Sequence, residues 1–487
     1  MSTNHALIYA VRGPVVLRHL GQLSVLIALA GLPPLFLSIV SGSWDVALLR
    51  GVVVLGVGGA GYGFTRLRTG KDVQLNEAMV VVSLAFVVAS IAAAIPFTAY
   101  GLTPIDALFE AVSGVTTTGL SIVPSMDGMS EEFLLVRGWT QWYGGLGFMT
   151  LSVFLFASGA LVPKQLEPGQ IDPRDPVGGT RERGRIALVV YLAVTLVGIT
   201  GLLVSGMSPF DAILHTTTSI STGGFSSEPG SLAAFGISSR VVVLVLCVLG
   251  ATPFIVLHQA ARGSWRRLLH DSQLVGLVLL GLLATALIFT FSLGPDTEGT
   301  WAARLGHAAA FAFSAQTTAG FSTMDPAATS EAARLVMILA MLVGGGIGST
   351  AGGIKITRLL IAGRVLGHTL RRVGLAKHAV DHPRFEGSRI TPERAQEVLC
   401  LILLWLLVVV ASWVPFLVAG HGALDSLFEV VSATGTVGLS TGVTGAELGA
   451  GLKLVLCLDM LFGRLEIVAL LIVLAPRTWI GRRRYSS

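Results

Sequence analysis

Long apolar runs set the pattern of this chain. Stretches near 14–40, 46–65, 76–97, 133–161, 186–206, 239–260, 273–293, 333–363, 397–419 and 452–475 are poor in charge. Each is long enough for a helix to cross the roughly 30 Å hydrocarbon layer of a bilayer. The first run is long and no small-residue cleavage site follows it cleanly, so no cleavable leader is expected. Between the runs the polar segments are short, and one of them, VTTTGLS from Val115 to Ser121, is helix-averse in a membrane-like context.

That segment comes back three times. DALFEAVSGVTTTGLS (Asp106 to Ser121), DAILHTTTSISTGGFS (Asp211 to Ser226), HAAAFAFSAQTTAGFS (His307 to Ser322) and DSLFEVVSATGTVGLS (Asp425 to Ser440) align over sixteen residues without a gap. Each ends in T-x-G-[Leu/Phe]-S, with Gly119, Gly224, Gly320 and Gly438 in register. A single T-x-G means nothing, but four in chain order, each between two apolar runs, define an internal repeat. The reading is an all-α polytopic membrane protein with four span–pore-loop–span repeats around one pore per protomer, preceded by two leading transmembrane helices. The expected units are 1–72 for the leading helices, then 73–163, 180–270, 271–372 and 390–487 for the repeats.

The first half of each copy is apolar and helix-compatible, with Asp106, Asp211 and Asp425 placed as N-caps. Eight to ten helical residues cover about 12–15 Å, half a bilayer. Each loop is therefore expected to dip in as a half-helix and return as extended chain. Non-helical backbone at that depth must be buried in protein or line a watery cavity. Glycine adopts φ > 0 cheaply, so carbonyls beside it can turn toward a common axis and replace the water shell of a cation such as K⁺. Candidate filter residues are Thr117, Thr118, Gly119, Thr222, Gly223, Gly224, Thr318, Ala319, Gly320, Thr436, Val437 and Gly438. The threonine hydroxyls add oxygens or pin the turn, and half-helix C-termini facing the centre add partial negative charge. No filter side chain is charged, which suits a weakly hydrated monovalent ion better than Ca²⁺ or Mg²⁺.

Composition agrees. Of 487 residues 53% are hydrophobic and 13% charged, with mean hydropathy +0.76; soluble proteins carry about 25% charged residues. The net charge of +5 is a topology signal. With the N-terminus inside, the inside loops hold Arg66, Arg68 and Lys71; Lys164, Arg174, Arg181, Arg183 and Arg185; Arg262, Arg266 and Arg267; and Arg364, Arg371, Arg372, Lys377, Arg384, Arg389 and Arg394, while the tail adds Arg477, Arg482, Arg483 and Arg484. The outside loops hold essentially Arg304 alone. The expected topology is N-in and C-in. No nucleic-acid motif is present, so no nucleic-acid partner is expected. Cys247, Cys400 and Cys457 lie far apart in apolar runs and read as small buried hydrophobes.

On the four loops, on GGGIGSTAGGIK (Gly344 to Lys355), GRLEI (Gly463 to Ile467) and QWYGGLGF (Gln141 to Phe148), the chain resembles the Trk/Ktr/HKT superfamily of K⁺ transporters. It is most similar to the bacterial Trk membrane subunits of the TrkH/TrkG type, with which it shares the two leading spans. The resemblance covers nearly the whole chain. It implies potassium uptake across the bacterial cytoplasmic (inner) membrane, a homodimer with one pore per protomer, and a cytosolic nucleotide-binding ring of the TrkA kind. In that family glycine in all four loops accompanies K⁺ permeation, and serine in the first accompanies Na⁺ preference in plant relatives. A Na⁺-permeable or poorly selective transporter of the same fold is the alternative. The loops lack the Tyr-Gly step of TVGYG filters, which implies fewer stacked carbonyl sites.

Below the filter, GGGIGSTAGG should break its span, since each helical glycine costs about 1 kcal/mol against alanine. Gly344, Gly345, Gly346, Gly348, Ser349, Thr350, Gly352 and Gly353 are expected to form a gating loop with Arg464, either held by that arginine through its carbonyls or acting beside it as it repels the ion. Small residues for close helix packing, and an Arg464 ion pair with Asp459 or Glu466, are the plainer readings. Glu110 and Glu429 either neutralise Arg464 or support the pore helices, and His215 reads as a packing or hydrogen-bonding residue. The glycine run follows no βαβ strand, so no nucleotide is expected on this chain. An intramembrane enzyme is the remote alternative. An active site needs unlike groups converging once, whereas these polar residues recur four-fold. Besides the transported K⁺, membrane lipids are the small partners expected.

Overall fold

A computed structural model describes residues 10–69, 73–123, 125–126, 128–157, 180–292, 300–374 and 382–480. Lys71, Lys164, Arg174, Lys377, Arg482, Arg483 and Arg484 lie outside the described residues. The first apolar run forms Gly13–Ala30 and Leu32–Val40, parted at Gly31 just before Pro33 and Pro34, and the second forms Trp44–Thr65. The two runs cross closely at Gly21 and Gly61. A Cβ on either would come 2.6–2.8 Å from the other's carbonyl oxygen, so only glycine permits this approach. Ion pairs tie the leading helices to the first repeat at both ends: the partly buried Arg12–Glu77 at 2.8 Å and the buried Arg50–Glu132 at 2.5 Å.

Each repeat then follows one plan. A long apolar helix (Leu75–Phe97, Thr180–Val204, Ser272–Ser292, Pro392–Val418) leads to a pore helix (Pro104–Val115, Pro209–Ile220, Trp301–Gln316, Ala423–Thr434), an extended return and a second helix. Only the first repeat's second helix, Glu131–Ala157, runs unbroken. The expected spans 239–260, 333–363 and 452–475 are each interrupted. Ile237–Ala251 and Phe254–Ala261 meet at 108° around Pro253, which lacks an N–H and clashes with the preceding turn. Glu331–Leu342 gives way to the glycine run before Ile356–Arg372 begins, as its glycine content requires. Ala450–Arg464 is parted from Val468–Leu474 by a turn in which Glu466 and Ile467 have φ of 57° and 60°.

Among the described residues six helices are long and apolar enough to cross a membrane, or seven if the bent pair is one span. The few strands are local. Val343–Gly344 pairs in parallel with Ile354–Lys355, closing the neck of the glycine loop, and Arg384–Phe385 forms a hairpin with Ser388–Arg389. The main core is the inner face shared by repeats one, three and four, from Phe109 and Phe311 to Phe416 and Phe428. Cys247 and Cys457 are buried, as expected of small hydrophobes; Cys400 is exposed, on the outward face of Pro392–Val418.

Candidate functional site: a ring of four loops

The pore helices begin one turn earlier than the aspartates suggest. Thr103, Ser208 and Thr300 are the N-caps, each accepting a backbone N–H with its hydroxyl, and Gly422 holds the fourth position. Asp106, Asp211 and Asp425 are therefore first-turn residues, where a carboxylate still favours the helix dipole. Two of them are also ion-paired: Asp106 with Lys453 at 2.7 Å and Asp425 with Arg334. These basic groups, with Arg240, stand in the first turns of second helices. The face assigned above to Arg304 alone thus carries further cations that bind loop to loop. The third pore helix starts at Trp301, so His307 lies a turn and a half inside it and bonds Thr323 at 2.8 Å.

At the other end all four helices stop the same way. The N–H of Thr118, Gly223, Ala319 and Val437 donates to the carbonyl five residues back (2.9, 2.7, 2.9 and 2.8 Å), and the preceding threonine N–H donates to the carbonyl three back. This is the Schellman stop, but the left-handed position that usually holds glycine holds threonine. Thr117, Thr222, Thr318 and Thr436 have φ of 56°, 53°, 56° and 50°. A β-branched residue there costs about 1–3 kcal/mol, and the same strain recurs in every copy. Two residues on, Gly119, Gly224, Gly320 and Gly438 are again at positive φ, from 75° to 96°.

The four loops close on one another. A Cβ on Gly119 would meet the carbonyl oxygen of Gly223 at 2.1 Å; on Gly224, that of Ala319 at 2.1 Å; on Gly320, that of Val437 at 2.1 Å; and on Gly438, that of Thr118 at 2.2 Å. Each glycine is thus pressed against the carbonyl of the middle T-x-G residue of the next loop, in the order one, two, three, four, one. Four uncharged backbone segments in cyclic contact, their T-x residues buried and their glycines partly exposed, bring carbonyl oxygens together at the ends of four helix dipoles. Two threonine hydroxyls are engaged: Thr318 accepts from the Gly352 N–H at 2.9 Å, and Thr222 donates to the Ser221 carbonyl at 2.7 Å. Those of Thr117 and Thr436 are buried with no hydrogen-bond partner among the described residues.

Side chains behind the ring hold its shape. Glu110 accepts from Ser121 Oγ and the Ile122 N–H at 2.7 and 2.8 Å, and Glu429 accepts from Ser440 Oγ and the Thr441 N–H, both at 2.7 Å. Arg137 pairs with Glu110 at 2.9 Å and lies 3.8 Å from the centre of the Phe225 ring, joining loops one and two. Neither glutamate neutralises Arg464; both brace the returning chain. His215 has the same job in loop two, donating from Nδ1 to the Asp211 carbonyl and meeting Ser226 Oγ at 3.0 Å through Nε2.

The glycine run lies directly beneath. Thr350 Oγ1 reaches the Ile220 and Gly250 carbonyls at 2.7 and 2.9 Å. A Cβ on Gly352 would sit 2.0 Å from Thr436 Oγ1. Arg464, fully buried, donates to the Thr350 carbonyl at 2.6 Å and lies 4.1 Å from the Phe148 ring centre. It makes no ion pair with Asp459 or Glu466: Asp459 bonds Ser412, and Glu466 pairs with Arg358. Lys355 adds a second buried cation 5.0 Å from the same Phe148 ring.

Two features escape a reading of the loops alone. Gln141 donates to the Gly223 carbonyl at 2.6 Å and accepts from the Phe225 N–H at 3.2 Å, fixing loop two. Gly144, Gly250 and Gly463 each pack against the carbonyl that ends their own pore helix, where a Cβ would come within 2.0–2.5 Å. Counted from the start of each second helix they share one place, since 144−131, 250−237 and 463−450 are equal and 344−331 adds Gly344, but the gapless frame of the loops does not carry to them, because their distance from the loop glycines varies by a residue or two.

Such a ring between paired membrane helices defines a multi-pass helical protein with one central four-loop pore in a single chain. The chain belongs to the TrkH cation transport protein family, whose model matches residues 46–274 and 267–479. It is similar to the Trk system potassium uptake protein TrkI of Halomonas elongata, 30% identical over 421 residues, 83% of this chain and 84% of that protein. It is also similar to the Trk system potassium uptake protein TrkH of Vibrio parahaemolyticus, 27% identical over 486 residues, 95% of this chain and 99% of that one. The crystal structure of the potassium transporter TrkH from Vibrio parahaemolyticus matches with a TM-score of 0.84 at 25% identity, covering 96% of this chain and 100% of that chain.

Proposed function

We propose that this chain is the ion-conducting subunit of a Trk-type potassium uptake system in a bacterial inner membrane, with both termini inside. The cyclic contact of four uncharged carbonyl segments carries this reading. The carbonyls of Thr118, Gly223, Ala319 and Val437 replace the hydration shell of K⁺, with Thr117, Thr222, Thr318 and Thr436 below them and Gly119, Gly224, Gly320 and Gly438 setting the spacing. Gly344, Gly345, Gly346, Gly348, Ser349, Thr350, Gly352 and Gly353 form the gate, clasped by Arg464. Residues 1–72 act as an anchor beside repeats 73–163, 180–270, 271–372 and 390–487. The family resemblance supports a homodimer and a TrkA-like ring docked on the basic inner loops, with nucleotide bound by the ring and not by this chain. The family is one of cation transporters, and recurrence of the same polar residues in four loops speaks against an enzyme. Purified protein in liposomes tests the reading. K⁺ or Rb⁺ flux exceeding Na⁺ flux, without chemical turnover, is the expected result. Equal Na⁺ flux would favour the poorly selective alternative, and no cation flux would overturn the assignment.

A further inference from the structure

The second helix of the last repeat buries a carboxylate that the pore does not use. Asp459, 1% exposed, stands five residues before Arg464 on Ala450–Arg464. Its Oδ1 accepts from Ser412 Oγ at 2.5 Å, and its Oδ2 has no partner among the described residues. Ser412 is on Pro392–Val418, a long apolar helix whose other face, with Leu403, Leu407 and Val414, is exposed.

Ionisable groups on the elements around it are engaged elsewhere. On the first pore helix, Asp106 pairs with Lys453 and Glu110 with Arg137. On the fourth, Asp425 pairs with Arg334, and Glu429 accepts from Ser440, Thr441 and Thr444. On Pro392–Val418, Arg394 pairs with Glu397 near the far end, Glu393 stands in the exposed first turn, and Cys400 is an exposed thiol. Val468–Leu474 carries no ionisable group, and Glu466 before it pairs with Arg358. On its own helix, Lys453 is paired with Asp106, Cys457 is a thiol, and Arg464, five residues on, donates to the Thr350 and Gly144 carbonyls and not to Asp459. An ionised carboxylate with one neutral donor and no cation is far too costly at this depth, and such a group takes up a proton instead.

We propose that Asp459 is a proton-binding site that couples this pore to pH. With the proton on Oδ2, Oδ1 accepts from Ser412 and the helix seats against Pro392–Val418, holding Arg464 on the Thr350 carbonyl. When the proton leaves to water, the charge draws water between the two helices. Ala450–Arg464 then shifts and the clasp loosens. This second part rests on the reading of Arg464 as the clasp of the gate.

The test has two arms on the full chain in liposomes. Infrared spectra read the proton directly. A protonated-carboxyl band at neutral pH, lost in Asp459→Asn and titrating away in alkali, is the expected result; Ser412→Ala, which strips the one donor from the carboxylate, should move that loss to higher pH. The Ser412→Ala shift also assigns the band should Asp459→Asn not fold. The second arm is Rb⁺ flux against pH, expected to rise in alkali for the wild type and to stay flat and low for Asp459→Asn. No band sensitive to either variant would overturn the proton site. A band present with superimposable flux profiles would overturn the coupling while leaving the site. Absence of any Rb⁺ flux in the wild type overturns the conduction reading, and with it the coupling, while the infrared arm still decides the site.

Discussion

Adding one methyl group to the ring should expose the filter most directly. In Gly119→Ala the new Cβ would lie 2.1 Å from the Gly223 carbonyl oxygen, against the 3.0 Å below which real Cβ contacts essentially never fall, so something must move by at least 0.9 Å (3.0 − 2.1). The residue also sits at φ 91°. Backbone strain of about 1–3 kcal/mol adds to overpacking of about 1–3 kcal/mol. Part of this is relieved by displacing the Gly223 oxygen, which is itself an expected ion ligand held by Gln141. A ring altered on one side no longer fits one ion radius. A loss of only about 1.4 kcal/mol of K⁺ preference is a tenfold fall in selectivity. Gly119→Ser and Gly438→Ser meet the same geometry, the latter 2.2 Å from the Thr118 oxygen. Bi-ionic reversal potentials should show the K⁺/Na⁺ ratio falling about tenfold or more in each. Gly445→Ala, with open space at its Cβ, should leave the ratio untouched. A folded Gly119→Ser and Gly438→Ser with unchanged ratios would refute the filter assignment.

Further expectations follow from the braces and the gate. Arg464→Ala, or deletion of 346–350, should raise basal K⁺ flux and weaken nucleotide control while keeping selectivity; unchanged open probability in single-channel records of both would move the gate elsewhere. Gln141→Leu leaves the Phe225 N–H without its acceptor, so it should lower thermal stability, by about 1–3 kcal/mol for an unsatisfied buried group, and reduce K⁺ preference; full retention of both would show that loop two holds itself. Charge reversal at Arg371 and Arg372 should abolish capture of the cognate cytosolic ring subunit in a pull-down, and undiminished capture at elevated salt would rule out that docking surface. Lys453→Met should destabilise the junction of repeats four and one, read as a lower melting temperature that Asp106→Asn in the same chain partly restores.

The repeat was legible because its information is local. A helix, its stop and the return all lie within sixteen residues, and glycine at a fixed place reports positive φ. The N-caps were equally local, since Thr103-Pro104 and Ser208-Pro209 place proline at the first helical position, but the recurring aspartates drew the assignment inward. What no local pattern carries is the choice of partner for a buried charge. Glu110 and Arg137 stand on different helices, and Arg464 meets a carbonyl 114 residues away. The sign of a charge limits its partners, but chain geometry selects among them, and here a backbone carbonyl won over two acidic residues close by in sequence.

The departures from four-fold symmetry then acquire a physical reason. Above, the four carbonyl segments must be alike, because each glycine packs on the next and the proposed filter has all four face one ion. Below, the position fourteen residues into each second helix holds Gly145, Ala251, Gly345 and Arg464. At Gly145 even a Cβ would come 2.9 Å from Ser221, and at Gly345 2.6 Å from Ala351. Two of the four sites are thus too tight for any long side chain, Ala251 is itself fully buried, and the fourth holds a guanidinium in contact with repeat three at the Thr350 carbonyl and with repeat one at the Gly144 carbonyl and the Phe148 ring. One arginine seals what four could not share. The proposed gate is asymmetric for the same reason that the proposed filter is not: it is to be released by one movement, and a single guanidinium, on the Thr350 carbonyl at 2.6 Å and the Gly144 carbonyl at 3.4 Å, is one place at which to move.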